Sequence, residues 1–169
     1  MNNKMAINIH KDFLKKEEIE KLKKEMLSSF FPWHLAEVTW DNEYDQTHYQ
    51  NSQLTHYFHD GFRPRSDHIE LIKPLLEKIN FKGLNRIKAN LLIRTDKKII
   101  HKMHTDVSVI CTTGIFYLNT NNGETIFENG ERVKSVENTF ITFPSNLRHT
   151  GTTNTCNAAY RVVLNFNYF

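Results

Sequence analysis

The sequence is poor in cysteine and in the residues that interrupt regular structure. It has two cysteines, Cys111 and Cys156, without Cys-x-x-Cys spacing, and only six glycines and four prolines among 169 residues. Two thiols provide no disulfide framework, so we expect both to be reduced. No apolar run approaches the ~20 residues that a membrane helix needs, and residues 1–10 have no apolar stretch typical of a secretory signal. We therefore expect a cytoplasmic protein without a membrane partner.

The chain also lacks a strong charge of either sign. Its formal net charge is +3 and its pI is about 8.8. Lysines and glutamates alternate between residues 15 and 25, which indicates an exposed helix face with i,i+4 pairs and not a nucleic-acid patch. Twelve Phe and six Tyr favour a sheet-rich core. The length fits one compact domain spanning residues 1–169.

The first half of the chain predicts two helices separated by an irregular stretch. Residues 12–29 carry apolar side chains at helical spacing. Residues 30–65 are rich in aromatic and histidine side chains without a clean period, which predicts short strands and loops. A second amphipathic helix follows, with Ser66 as its cap and a restart at Pro74. We predict that these N-terminal helices, within about 12–80, pack on a C-terminal barrel of about 86–169.

From residue 86 onward the apolar period changes to two, as in half-buried strands. Residues 87–93 alternate, residues 107–119 are mostly β-branched or aromatic, and Glu128-Asn129-Gly130-Glu131 predicts a hairpin turn. Residues 140–143 form another short strand, and residues 160–169 form the last. Six or more consecutive strands without intervening helices favour a mainly β fold with supporting helices, a jelly-roll or cupin-like barrel.

A His-x-Asp pair, His104 and Asp106, lies in this strand-rich half. Residues i and i+2 of a strand share a face, so both side chains can reach one metal ion. Two histidines and one carboxylate suit non-haem Fe(II) and leave three coordination positions open. His149 follows a strand that ends at Pro144 and is the candidate third ligand. The other pair, His10 and Asp12, precedes the first helix, where Asp12 has a structural use near the helix start.

Arg161 interrupts an otherwise apolar final strand, on the face of Val163, Asn165 and Asn167. A guanidinium that points into a barrel is costly unless a carboxylate meets it, and a dicarboxylate ligand would supply that partner.

Three segments accompany these residues: Gly114-Ile-Phe-Tyr-Leu-Asn119, Asn122-Gly-Glu-Thr-Ile-Phe127 and Phe143-Pro-Ser145. Together, the residues and segments resemble the Fe(II)/2-oxoglutarate dioxygenase superfamily, in its prolyl-4-hydroxylase-like branch. The closing strand is similar to small oxygenases of marine phages and bacteria, so a phage-infected bacterial host is the expected setting. The resemblance implies a double-stranded β-helix with Fe(II) on His104, Asp106 and His149. It also implies 2-oxoglutarate on Arg161 with Tyr117 beside it, O2 as the second cosubstrate, and a supporting role for ascorbate. The implied reaction hydroxylates an unactivated C–H bond and gives succinate and CO2.

Alternatives stay open at this stage. Each histidine, taken alone, is more typical of a core or surface residue, and Tyr117 of a core residue. His101, three residues before His104, would point away from the metal on a regular strand. Two tryptophans and two histidines would either line a substrate mouth or pack within the fold: Trp33, Trp40, His56 and His59. A non-catalytic cupin-like metal-binding module and a nucleic-acid-base demethylase are the rival functions. We expect a protein, peptide or small-molecule substrate and no nucleic acid, because the predicted mouth shows no dense Arg/Lys stripe.

Overall fold

The computed structural model describes residues 7–38 and 52–169, and the strands and helices occupy most of both ranges. In chain order they are β1 (Asn8–His10), α1 (Lys16–Met26), β2 (His34–Glu37), β3 (Ser52–Asp60), β4 (Arg63–Pro64), a 3-10 helix (Ile69–Ile72), α2 (Lys73–Lys78), β5 (Leu84–Ile93), β6 (Thr112–Tyr117), β7 (Glu124–Phe127), β8 (Arg132–Lys134), β9 (Thr139–Pro144), β10 (His149–Gly151) and β11 (Tyr160–Tyr168).

Two antiparallel sheets make up the fold. The larger has the order β1-β9-β6-β11-β5-β3-β2, with β4 paired to β3, and the smaller has the order β10-β7-β8. A core of buried side chains lies between them, contributed by both sheets: Ile115, Tyr117, Phe127, Val133, Ile141, Phe143, Leu147 and Val163. The predicted hairpin forms between β7 and β8, and Gly130, with φ +86°, takes the left-handed conformation in its turn.

The helices cover the other face of the large sheet. From α1, Ile19, Leu22 and Met26 enter a second core. Alternate residues of β5 (Ile87, Ala89, Leu91) and of β11 (Val162, Leu164, Phe166, Tyr168) meet them there. Because side chains of a strand alternate between faces, the remaining residues of β5 and β11 must point toward the interior between the sheets.

The helix starts differ from the sequence predictions. The first helix begins at Lys16, and the backbone N–H of Lys15 donates to the Glu18 carboxylate at 2.8 Å, so Asp12 is not the cap. Asp12 is exposed in a bend with φ 50°. Ser66 is not the cap of the second helix either, since His68 holds that position. The restart at Pro74 is confirmed, because a 3-10 turn ends at Ile72 and α2 accommodates the proline in its first turn.

The strand predicted for residues 107–119 is shorter than expected. Only Thr112–Tyr117 forms β6, and residues 94–111 have no regular strand, with isolated bridges at Ile100 and His104. Strand β3 of the N-terminal half pairs with β5, so the irregular stretch contributes to the large sheet. The division into N-terminal helices and a C-terminal barrel within one domain stays a prediction. Within the described ranges, none of the helices combines the length and the apolar character required to cross a bilayer.

Candidate iron and 2-oxoglutarate site

Strands β5 and β11 form one wall of a cavity of about 190 Å³ between the sheets. Their alternate residues line it: Arg86, Lys88, Asn90, Leu92, Arg161, Val163 and Asn165. Direct pairing sets the order along the wall, with Arg161 opposite Leu92 at one end and Asn165 opposite Lys88 further along. The polar face that the sequence pattern leaves on each strand is therefore the lining of a site.

His104, Asp106 and His149 meet at this cavity, and their ligand atoms lie within 4.8 Å of one another. The Nε2 atoms of His104 and His149 are 3.8 Å and 4.0 Å from the two oxygens of Asp106. These separations exceed a hydrogen bond and leave space for one ion between the three ligands. Among the described residues, no other group of three His, Cys, Asp or Glu side chains comes together in this way, so the pair His10 and Asp12 has no third ligand.

The backbone explains how distant residues share the site. His104 and His149 form an isolated antiparallel bridge, with reciprocal N–H···O bonds of 2.9 Å. Asp106 follows in a bend, so the pair does not lie on a regular strand as predicted. The two histidines are brought together by the bridge, and the carboxylate by the bend.

Both imidazoles are oriented through their Nδ1 atoms. Nδ1 of His104 lies 3.0 Å from the carbonyl of Lys102, and Nδ1 of His149 lies 3.4 Å from that of Leu147. An Nδ1–H that donates to a carbonyl leaves the Nε2 lone pair free for a metal. Burial lowers the pKa of His149, and Asp106 only partly opposes it, so this imidazole is neutral, as a ligand must be.

Asp106 is held by two neighbours from the cavity wall. Arg86 Nη2 lies 2.9 Å from one carboxylate oxygen, and Asn165 Nδ2 donates to the other at 3.4 Å. Burial alone would raise the pKa of Asp106, but the neighbouring positive charge, above all the bonded Arg86 guanidinium, outweighs it and lowers that pKa. The carboxylate is ionised and fixed in orientation before any metal binds.

Arg161 lies at the other end of the wall and is buried. Its Nε donates to the Ser135 hydroxyl at 2.7 Å and its Nη2 to the Thr125 hydroxyl at 3.1 Å. Among the described residues it has no carboxylate partner and Nη1 has no hydrogen bond. Burial lowers the pKa of Arg161. A buried cation held only by hydroxyls is complementary to a ligand carboxylate.

Two glycines make room for this guanidinium. A Cβ at Gly123 would lie 2.5 Å from Arg161 Cδ, and one at Gly151 would lie 3.2 Å from Nη1. Tyr117 is fully buried beneath Arg161, with its ring centroid 5.8 Å from the guanidinium carbon. Its hydroxyl donates to Thr125 at 2.8 Å, and burial raises its pKa to about 12. Tyr117 thus orients the hydroxyl that holds Arg161, and its direct contact with a cosubstrate stays a prediction.

His101 also lines the cavity, contrary to the expectation that it points away. That expectation assumed a regular strand, which residues 94–111 do not form. Its Nε2 is buried without a hydrogen-bond partner. Burial, with Arg161 and His104 acting in the same direction, lowers the pKa of His101 to about 4. It is therefore a neutral imidazole beside Arg161 with a vacant hydrogen-bonding atom.

The other residues considered for the substrate mouth lie elsewhere. Trp33 and His56 pack around Phe31 on the helix side of the large sheet, and His59 bonds to the carbonyl of Asn85 at 3.3 Å. Trp40 lies outside the described residues. Sequence reasoning missed Arg86, Lys88 and Asn90 as cavity residues, although the alternation of β5 places all three on the face opposite its apolar residues.

No protein-family model matches the chain, and no curated protein matches it. Solved structures do share its architecture, and that architecture is the one found in 2-oxoglutarate/Fe(II) oxygenases. An oxidoreductase of the 2OG-Fe(II) oxygenase family from Burkholderia pseudomallei is similar at 15% identity, with a TM-score of 0.68 over 96% of this chain and 84% of that chain.

Two prolyl hydroxylases are similar as well. That of Trichoplax adhaerens, in complex with a peptide of a hypoxia inducible factor, is 15% identical with a TM-score of 0.65, over 98% of this chain and 84% of that chain. The viral collagen prolyl hydroxylase of Paramecium Bursaria Chlorella virus-1, in complex with 2OG, is 12% identical with a TM-score of 0.57, over 98% of this chain and 96% of that chain. At these identities the likeness shows the fold, and the predicted jelly-roll class is confirmed.

The residues present fit both groups that this fold commonly holds. Two imidazoles and an ionised carboxylate form a donor set suited to Fe(II). Arg161, in the space left by Gly123 and Gly151, fits the distal carboxylate of 2-oxoglutarate, and the vacant His101 Nε2 lies along the same cavity.

Proposed function

We propose that this protein is an Fe(II)- and 2-oxoglutarate-dependent dioxygenase that hydroxylates an unactivated C–H bond in a protein residue, of prolyl type, or in a small molecule. One observation carries the proposal. Among the described residues, a three-ligand metal site and a buried arginine without a counter-ion line one cavity. A metal-binding module without turnover would need the first feature but not the second.

The bound iron would supply dioxygen activation, in which 2-oxoglutarate loses CO2 to give succinate while one oxygen atom enters succinate and the other the substrate C–H bond. The chain itself performs the positioning. His104, Asp106 and His149 would hold the metal, and Arg161 would anchor the far end of the cosubstrate. Arg86 keeps the Asp106 carboxylate in place.

The test combines metal binding with product formation. The purified protein should bind about one Fe(II), with Co(II) or Mn(II) as substitutes, and should release succinate from 2-oxoglutarate in the presence of O2. Both His104→Ala and His149→Ala should lower the metal stoichiometry and abolish succinate release, while His10→Ala should change neither.

Metal binding without succinate release, with peptides, amino acids and other small molecules as candidate substrates, would contradict the enzymatic proposal and favour the cupin-like module. Unchanged metal stoichiometry in both histidine variants would contradict the site itself.

A further inference from the structure

Lys88 is the cation of the cavity that the proposed function does not use. Arg86 is bonded to Asp106 and to Asn167, at 2.9 Å and 3.2 Å, and Arg161 is bonded to two hydroxyls. Among the described residues Lys88 has neither an ion pair nor a hydrogen bond, and its ammonium lies 5.2 Å from the centroid of the Tyr57 ring. Its half-buried ammonium loses solvent, and the nearby Asp106 carboxylate that attracts it is already paired with Arg86, so a bound anion would offset the remaining cost.

Two amide oxygens near Lys88 are likewise unused. Oδ1 of Asn90 and Oδ1 of Asn165 are buried without a hydrogen-bond partner. Asn165 is the direct cross-strand neighbour of Lys88, and Asn90 is the next residue of β5 on the same face. The hydrogen bond from Asn165 Nδ2 to Asp106 fixes which atom of that amide is left as an acceptor. Orphan acceptors require a donor from a ligand.

We infer that the substrate pocket takes a free α-amino acid, with its carboxylate on Lys88 and its ammonium on the amide oxygens of Asn90 and Asn165. This inference rests on the proposed function and names the substrate class of the same site. A cation beside two vacant acceptors complements the two charges of a zwitterion, whereas a peptide residue offers neither.

The test measures binding without turnover. The protein is loaded with Mn(II) and 2-oxoglutarate in the absence of O2, and the probes are the twenty protein amino acids, their primary amides and a proline blocked at both ends. We expect the paramagnetic ion to broaden the proton NMR lines of at least one free amino acid, about tenfold more than those of its amide.

Lys88→Met should remove most of this broadening and leave the affinity for 2-oxoglutarate unchanged. Lys134→Met, at an exposed strand lysine of β8, is the matched control and should have no effect. Asn90→Leu, which is nearly isosteric, should weaken binding of the amino acid but not of the corresponding acid without its amino group.

The inference is overturned if the proton NMR lines of no free amino acid are broadened, if amides or the blocked proline bind as well as the acids, or if Lys88→Met leaves binding intact. Equal losses of amino acid and 2-oxoglutarate in Lys88→Met would also overturn it, since Lys88 would then serve the cosubstrate. Binding of a free amino acid without succinate release by the Fe(II)-loaded protein in air would contradict the proposed function alone. Succinate release with the blocked proline, without binding of free acids, would contradict the inference alone.

Discussion

At the scale of single residues, Arg161 shows how a buried charge defines a ligand. Its donors are partly used by Ser135 and Thr125, and its position between two glycines leaves Nη1 available. Hydroxyls orient a guanidinium but do not neutralise it, so within the described part of the chain the positive charge of Arg161 stays uncompensated. A dicarboxylate that reaches the metal from this end would supply the compensation.

Replacing Arg161 separates cosubstrate binding from metal binding. Arg161→Ala should weaken 2-oxoglutarate binding by roughly 2–5 kcal/mol, or ~30-fold or more, because a charged bidentate pair is lost. Metal affinity should stay nearly unchanged, as measured by titration of the Mn(II) protein followed by titration with 2-oxoglutarate. Tyr117→Phe should cost less, about 1 kcal/mol for one hydrogen bond. An equal loss of metal and cosubstrate in Arg161→Ala would mean that the arginine only supports the barrel.

The environment of His101 leads to a prediction about how stability depends on pH. Its pKa is lowered from 6.5 to about 4 by burial, with Arg161 and His104 adding to the effect. As the pH falls, His101 therefore takes up a proton in the unfolded chain before it does so in the folded protein. The contribution of the neutral His101 to stability is fully present above pH 6.5 and is lost between pH 6.5 and 4.

Urea unfolding of the metal-free wild-type protein and of His101→Gln measures this effect. Relative to His101→Gln, the wild-type protein should lose about 1–3 kcal/mol of unfolding free energy as the pH falls from 6.5 to 4. Carboxylates titrate in both proteins and cancel in the difference. A difference that does not vary with pH would show that His101 is not held neutral by its surroundings.

At the scale of elements, the regular strands were predictable and the segment between them was not. The two-residue period of β5 and β11 assigns Ile87 and Leu164 to the helix side and Arg161 to the interior, because pleating alone fixes these faces. The same rule assigns Lys88 to the cavity. The side chains of residues 94–111 do not alternate in this way, because the segment forms no regular strand and is paired by two isolated bridges. The position of His101 depends on those bridges, which are contacts between residues far apart in the sequence.

The close approach of Gly123, the residue before β7, to Arg161 supplies a prediction at this scale. At Gly123 a Cβ would lie 2.5 Å from Arg161 Cδ and 2.8 Å from Asn121 Oδ1, so Gly123→Ala should displace the guanidinium. We expect a roughly tenfold weaker affinity for 2-oxoglutarate with unchanged metal stoichiometry, measured by the same titrations. Gly83→Ala is the control, because its Cβ would meet only Phe169 at an ordinary 3.9 Å. Wild-type affinity in Gly123→Ala would show that the arginine does not need this position.

At the scale of the whole molecule, the two cores and the cavity form successive layers. Helices cover the outer face of the large sheet, and the polar residues of β5 and β11 point away from them toward the small sheet. The proposed metal ligands come from the bridge and the bend, while Arg161 and Asn165 come from a central strand. A rigid sheet thus holds one side of the site, which favours fixed distances between cosubstrate anchor and metal.

The distribution of charge over the molecule leads to the last prediction, that the substrate is not a nucleic acid. Several cations outside the cavity pair with carboxylates, as in Lys16–Glu20, Lys23–Glu137 and Lys98–Glu124. Arg86 and Lys88 lie in the cavity, and Arg161 is the only arginine after His149. A nucleic-acid enzyme needs several phosphate contacts, each adding nearly one unit to the log–log salt dependence of binding.

We therefore expect mixed oligonucleotides to bind more weakly than about 10⁻⁵ M at physiological salt, within the non-specific range. Fluorescence anisotropy with labelled single- and double-stranded oligonucleotides measures the affinity, and succinate release with the same oligonucleotides measures turnover. Release above the uncoupled background would contradict this prediction and move the protein toward the nucleic-acid-base demethylases. The proposed iron site would stand in that case, because the positions of its three candidate ligands do not depend on the substrate, and Lys88 would then face a phosphate in place of a carboxylate.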